Sequence, residues 1–188
     1  MGSLAVGLVA LAMAGMAASG PAAERPHPAL VHLPEAEAPA SSQRPGGRLQ
    51  VGFARRIDAT ADVMSTGRLL AWHQEAHGQA AAIRFRVDGA AGLRLGVLVR
   101  KLPPQAVLRG YVDAGPAVFS VPARKALDVI EANRAAGDRT DEGSTWWTPP
   151  VTGPEVTLEI VLPRGTKPES VEIAVPKVSQ LTQPPTPP

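Results

Sequence analysis

His73, Glu75 and His77 set two imidazoles four residues apart around a carboxylate. On a helix this spacing would aim both rings at one zinc ion, but in the zinc-peptidase pattern the glutamate directly follows the first histidine. Here it comes one residue later, and Gly78 after a β-like run reads as a strand end and turn carrying exposed histidines. Asp138, Asp141 and Glu142 are hard oxygen donors of the kind calcium takes. Without a fuller acidic loop motif they read as a solvated connection. His27 and His32 would need two further ligands to hold a metal. Ser144, in Gly143-Ser144-Thr145, is the nearest Gly-loop serine, but a nucleophilic serine needs a histidine oriented by a carboxylate. The Gly-Asp-Ser-Gly surroundings of a trypsin-fold nucleophile do not occur. These residues lead to no catalytic, metal or cofactor assignment.

Binding chemistry is better represented. Arg84, Arg86, Arg94, Arg100 and Arg109 fall on the polar faces of alternating runs. If their strands are neighbours in one sheet, they form a basic stripe for an acidic partner domain or an anionic envelope polymer. Solvated charges on an exposed sheet face explain them equally well. Trp146 and Trp147 adjoin in a strand, so one faces the core and the other the surface. An outward indole can stack on a sugar, dock a partner or pack at the rim.

The elements that must position these groups are mostly strands. Alternation marks Leu49–Phe53, a run at Arg68–His73, Ala81–Val87 and Leu93–Val99, the last two read as a hairpin through Asp88–Gly92. Pro103-Pro104 interrupts, then Ala106–Asp113 carries Arg109 and Tyr111 on one face, and Val118-Phe119 is a short strand. Helical spacing runs through Ala126, Leu127, Val129, Ile130 and Asn133, with Ser120 as cap, Pro122 in the first turn and Gly137 as stop. The clearest strands are Val156–Leu162 and Val171–Val175. About eight strands and one inserted α-helix predict a mostly β fold, an antiparallel β-sandwich of jelly-roll type.

Composition limits the remaining choices. The chain has 188 residues, a net charge of +2, 4% aromatics and no cysteine, which excludes disulfides and thiolate zinc sites and disfavours nucleic acid. The uncharged apolar run Leu4–Ala18, followed by Ser19, reads as a signal peptide over 1–19, although Met1-Gly2-Ser3 lacks the usual basic residues. Residues 20–47, rich in Pro and Ala, read as a disordered leader that buries too little to offset its ordering entropy. The sandwich is expected over 48–179 and a Pro/Thr-rich tail over 180–188.

Six runs occur in a recognisable order: Val51-Gly52-Phe53-Ala54-Arg55, Gly92-Leu93-Arg94-Leu95-Gly96-Val97, Val107-Leu108-Arg109-Gly110-Tyr111, Trp147-Thr148-Pro149-Pro150-Val151-Thr152-Gly153, Val156-Thr157-Leu158-Glu159-Ile160 and Val175-Pro176-Lys177-Val178-Ser179. Over residues about 48 to 180 this resembles the N-terminal non-catalytic region of secreted bacterial trypsin-fold serine endopeptidases of the lysyl-endopeptidase-like kind. The resemblance implies a secreted or periplasmic accessory domain, without a catalytic triad of its own. Its partner would be a serine endopeptidase catalytic domain, expected to be absent from this chain, or another envelope or secreted protein. The alternative is a free-standing carbohydrate- or protein-binding jelly-roll module.

Overall fold

Alternating apolar residues can satisfy their backbone groups and bury one face only by pairing into sheets, and a chain without cysteine must build its core from such faces. A computed structural model describes residues 27–37, 51–112 and 115–185. The signal peptide reading lies outside these residues. In chain order the elements are β1 (Ala29–Leu33), β2 (Gly52–Arg56), α1 (Val63–Leu69), β3 (His73–Glu75), β4 (Gly78–Val87), β5 (Gly92–Lys101), β6 (Val107–Tyr111), β7 (Ala117–Pro122), α2 (Ala123–Ala135), β8 (Thr145–Trp147), β9 (Val151–Thr152), β10 (Glu155–Pro163) and β11 (Glu172–Leu181).

They form the expected two-sheet sandwich. The first sheet runs β1-β4-β10-β6-β7 with β3 beside β4, and the second runs β2-β11-β5-β8 with β9 beside β5. All pairings are antiparallel except β1 with β4. Between the sheets lie Ile83, Phe85 and Val87 of β4, Leu93, Leu95 and Val97 of β5, Val156, Ile160 and Leu162 of β10, and Ile173 and Val175 of β11, each at most 2% exposed.

The expected hairpin of Ala81–Val87 with Leu93–Val99 is not formed. β4 belongs to the first sheet and β5 to the second, and Asp88–Ala91 carries the chain across the sandwich. Asp88 N–H donates to Leu33 O at 3.0 Å in the first sheet, while Ala91 N–H donates to Leu181 O at 2.9 Å in the second. Alternation reports which residues face inward and is silent on the partner strand.

The expected strand at Arg68–His73 is also corrected, because a second helix, α1, covers Val63–Leu69. Asp62 caps it by accepting from Ser65 N–H at 2.8 Å, and the buried Thr66 hydroxyl donates to Asp62 O at 2.9 Å. The extended chain resumes only at His73. α2 follows β7 without a break, so Ser120 lies inside the strand and Pro122 occupies the cap position without a side-chain bond. Its other end is as expected. Gly137 adopts φ +93° and donates to Arg134 O at 3.0 Å, while Asp138 N–H donates to Asn133 O at 3.0 Å, closing the helix through a left-handed residue.

Two boundaries move. The disordered-leader reading of 20–47 fails at Ala29–Leu33, where β1 lies parallel along β4 and buries Val31 and Leu33 in the core. Pairing with a distant strand gives the apolar residues of this short run a surface to bury against. At the other end β11 continues to Leu181, so Gln180 and Leu181 belong to the sandwich and not to the tail. Because β1 is part of the core, Leu33→Ala should lower unfolding stability by about 2–5 kcal/mol in urea melts, where a solvated leader would give less than about 0.5 kcal/mol.

Candidate functional site

The five arginines do not form one stripe. Arg84 and Arg86 on β4 and Arg109 on β6 belong to the first sheet, whereas Arg94 and Arg100 on β5 belong to the second. Even within the first sheet β10 separates β4 from β6 and supplies carboxylates. Arg84 Nε lies 3.4 Å from Glu155, and Arg109 lies 3.5 Å from the buried Glu159. Arg86 meets Asp88 at 3.2 Å and Arg100 meets Asp141 at 2.8 Å. A basic stripe is thus replaced by two mixed-charge faces.

On the outer face of the first sheet, Glu159 accepts from the Tyr111 hydroxyl at 2.9 Å. Burial, then that bond to Glu159, pushes the Tyr111 phenol above its ordinary range, so it remains a donor at neutral pH. His73 also points to this face from the short β3, with Nε2 3.7 Å from Glu75. His77 sits in the exposed turn before β4, so the helical geometry of a zinc pair is not formed. At the end of the same sheet His32 on β1 meets Asp88 at 2.8 Å.

The second sheet presents a more organised surface. Trp146 faces the core at 8% exposure and Trp147 faces outward, as the strand period requires. Lys177, Gly96 and Trp147 form one row across β11, β5 and β8. Gly96 makes the row possible, because a Cβ there would lie 2.9 Å from the Lys177 stem and 3.2 Å from the Trp147 ring. Two cations approach the indole, Arg94 at 6.0 Å and Lys177 at 5.9 Å from the ring centroid. Each cation is held in place. Arg94 Nε donates to Thr148 O at 3.0 Å, and Lys177 pairs with Glu142.

Hollows adjoin this row. One of about 450 Å³ is lined by Ala54, Arg56, Leu98, Pro176 and Lys177, and another of about 480 Å³ by Arg94, Asn133, Glu142 and Trp147, with Thr145 bordering both. The helix-to-strand loop supplies the rim. Asp138 there accepts from the Thr140 hydroxyl at 2.6 Å and from its N–H at 3.0 Å, bonds that hold its carboxyl below the usual range. Asp138, Asp141 and Glu142 therefore turn to separate partners within the protein. Ser144 is 3% exposed, and its carbonyl accepts from Val99 N–H at 3.0 Å, a structural position with no access for a substrate.

The structure brings together Arg94 and Trp147, leaves Arg100 paired with Asp141 farther along β5, and adds Lys177, Gly96 and Thr145, which sequence reasoning had not assigned. The available signal was a glycine at an outward strand position, which marks close approach of another group. Acid sensitivity should extend to the other face. The His32 bond, then that of Arg86, holds the Asp88 carboxyl below the usual carboxylate range. A depressed folded value means stabilisation present above the unfolded carboxylate pKa of about 4 and lost as pH falls through the lower folded value. Asp88→Asn should therefore flatten the loss of stability below about pH 4, read by thermal melts across pH 2–6.

The chain is similar to known proteins over most of its length. The chain spans 77% of its own length in an alignment with a lysyl endopeptidase of Pseudomonas aeruginosa, 29% identical over 149 residues, and covers 28% of that protein. No solved structure matches. The family described as the lysyl endopeptidase N-terminal domain matches residues 22–182, which takes in β1 and the end of β11 as well as the sandwich between them. The chain belongs to the lysyl endopeptidase N-terminal domain family.

Proposed function

We propose that this domain is a non-catalytic companion of a lysine-specific serine endopeptidase domain, and that it meets that domain through the face around Trp147. The carrying observation is the preset indole: Trp147 lies across Gly96 with the Arg94 and Lys177 cations 6.0 and 5.9 Å from its ring centroid. Interfaces concentrate their binding energy in such aromatic and arginine anchors, and an anchor already held in place loses little entropy on docking. The matched relative supports the assignment, since the region equivalent to this chain is only 28% of its length.

The non-catalytic reading is supported by where the polar side chains are spent. Asp62 caps a helix, Thr60 donates to Val175 O at 2.7 Å, and Thr148 accepts from Leu95 N–H at 3.0 Å, all of them structural bonds. The domain assists folding of the peptidase, keeps it inactive or orients it. Its place is outside the cytoplasm, in the periplasm or released, in keeping with the apolar start of the sequence. The exposed face of Trp147 supports a second reading, in which the indole stacks on a sugar ring of an envelope glycan.

Isothermal titration of the purified domain into a lysyl endopeptidase catalytic domain distinguishes these readings. Binding should weaken about 10- to 100-fold in Trp147→Ala, as expected for an interface anchor. The domain should also raise the refolding yield of the catalytic domain or slow its cleavage of a lysyl amide substrate, and should show no amidase activity alone. Glycan-array binding lost in Trp147→Ala, with no affinity for the peptidase, would establish the second reading instead.

A further inference from the structure

The chain holds four lysines against fifteen arginines, with none in residues 1–100 and none in 178–188. The four are Lys101, Lys125, Lys167 and Lys177. Lys101 ends β5 in register with Glu172 of β11, and the next residue, Leu102, is 6% exposed. Lys125 lies in the first turn of α2, and the next residue, Ala126, is wholly buried. Lys177 is laddered to β2 on one side and β5 on the other, and Val178 after it is wholly buried. Lys167 is exposed but is followed by Pro168, whose ring nitrogen has no N–H and whose ring carbons crowd the bond.

Arginines occupy the positions that lysines do not. Arg134, Arg139 and Arg164 are exposed and are each followed by an exposed residue, Ala135, Thr140 and Gly165. A trypsin-fold peptidase must bring the scissile carbonyl within reach of both the serine and the oxyanion donors. At Lys101, Lys125 and Lys177 that requires the following buried side chain and the surrounding hydrogen bonds to leave the fold.

We infer that the domain is shielded against cleavage after lysine: while folded, it is a companion of a lysine-specific endopeptidase and not its substrate. The inference rests on the proposed partnership. Removal of the domain by such an enzyme then requires either unfolding or a cut outside the sandwich.

The test is digestion of the purified chain by a lysine-specific trypsin-fold endopeptidase from an independent source, followed by mass spectrometry. Unstructured peptides spanning residues 97–105, 121–129 and 173–182 provide the reference rates. Cleavage after Lys101, Lys125 and Lys177 in the folded chain should be on the order of a thousand-fold slower than in the peptides, because it tracks the small population of opened molecules. Arg139→Lys places a lysine in the exposed loop between α2 and β8 and should be cut after residue 139 at least about a hundred-fold faster than any native lysine. Native cleavage within about ten-fold of the peptide rates would overturn the inference. So would an Arg139→Lys chain that resists equally, since accessibility would then not be what protects. The digestion reads bond cleavage alone, so its outcome is separate from the binding and refolding outcomes of the proposed partnership.

Discussion

The sandwich depends on its two C-terminal strands. β10 lies between β4 and β6 in the first sheet, and β11 lies between β2 and β5 in the second. Each is the last element of its sheet to appear in the chain and is flanked by strands made much earlier, so Val156 finds Phe85 and Val178 finds Leu95 and Arg55. Until both are in place, neither sheet is continuous and the apolar faces of β4 and β5 have nothing to close over. Non-local pairing of this kind carries a large loop-closure entropy and makes folding slow and cooperative. With no cysteine, closure relies on burial and on noncovalent bonds.

The same two strands arrange the surfaces. β10 inserts Glu155 and Glu159 between the arginines of β4 and β6, so the first face is neutralised internally, with the buried Glu159 held by Tyr111 and Arg109. A carboxylate so buried is tolerable only with such partners. β11 brings Lys177 over Gly96 from one side while β8 brings Trp147 from the other. The second face thus carries a flat aromatic surface edged by cations and bordered by hollows. The two faces differ because Glu155 and Glu159 lie between the arginines of the first sheet, while around the half-buried Trp147 of the second the acidic groups come from the loop at Asp141 and Glu142.

Much of this was legible in single runs of residues. The alternation of Val156, Leu158, Ile160 and Leu162 places all four in the core, and the adjacency of Trp146 and Trp147 puts one ring in and one out. Gly137 ends its helix through a positive φ, as a glycine in that position should. Other features were hidden because their cause is distant. Ala29–Leu33 is apolar but sits in a Pro/Ala-rich stretch with no longer apolar period around it, and it becomes a strand because β4 offers an edge. The helix Val63–Leu69 has an Asp62 cap and a Thr66 whose hydroxyl turns inward to Thr60 O at 3.2 Å, so its polar residues mimic a loop. Arg94 and Arg100 looked equivalent to Arg84 and Arg109 because an outward position reads the same in either sheet.

By itself the sequence determined the inward and outward sides of its strands, the mostly β composition of the fold, the end of its longer helix and the scarcity of lysine. Each of these is a matter of local period, backbone preference or residue choice, and needs no knowledge of what lies across the sheet. The tertiary structure decided which strand pairs with which, whether the arginines gather or divide, and that a leader segment joins the core. It also decided that Lys177 and Arg94 meet at Trp147, because sheet order and crossings between sheets are set by long-range closure of the core, which alternation of a single strand does not encode.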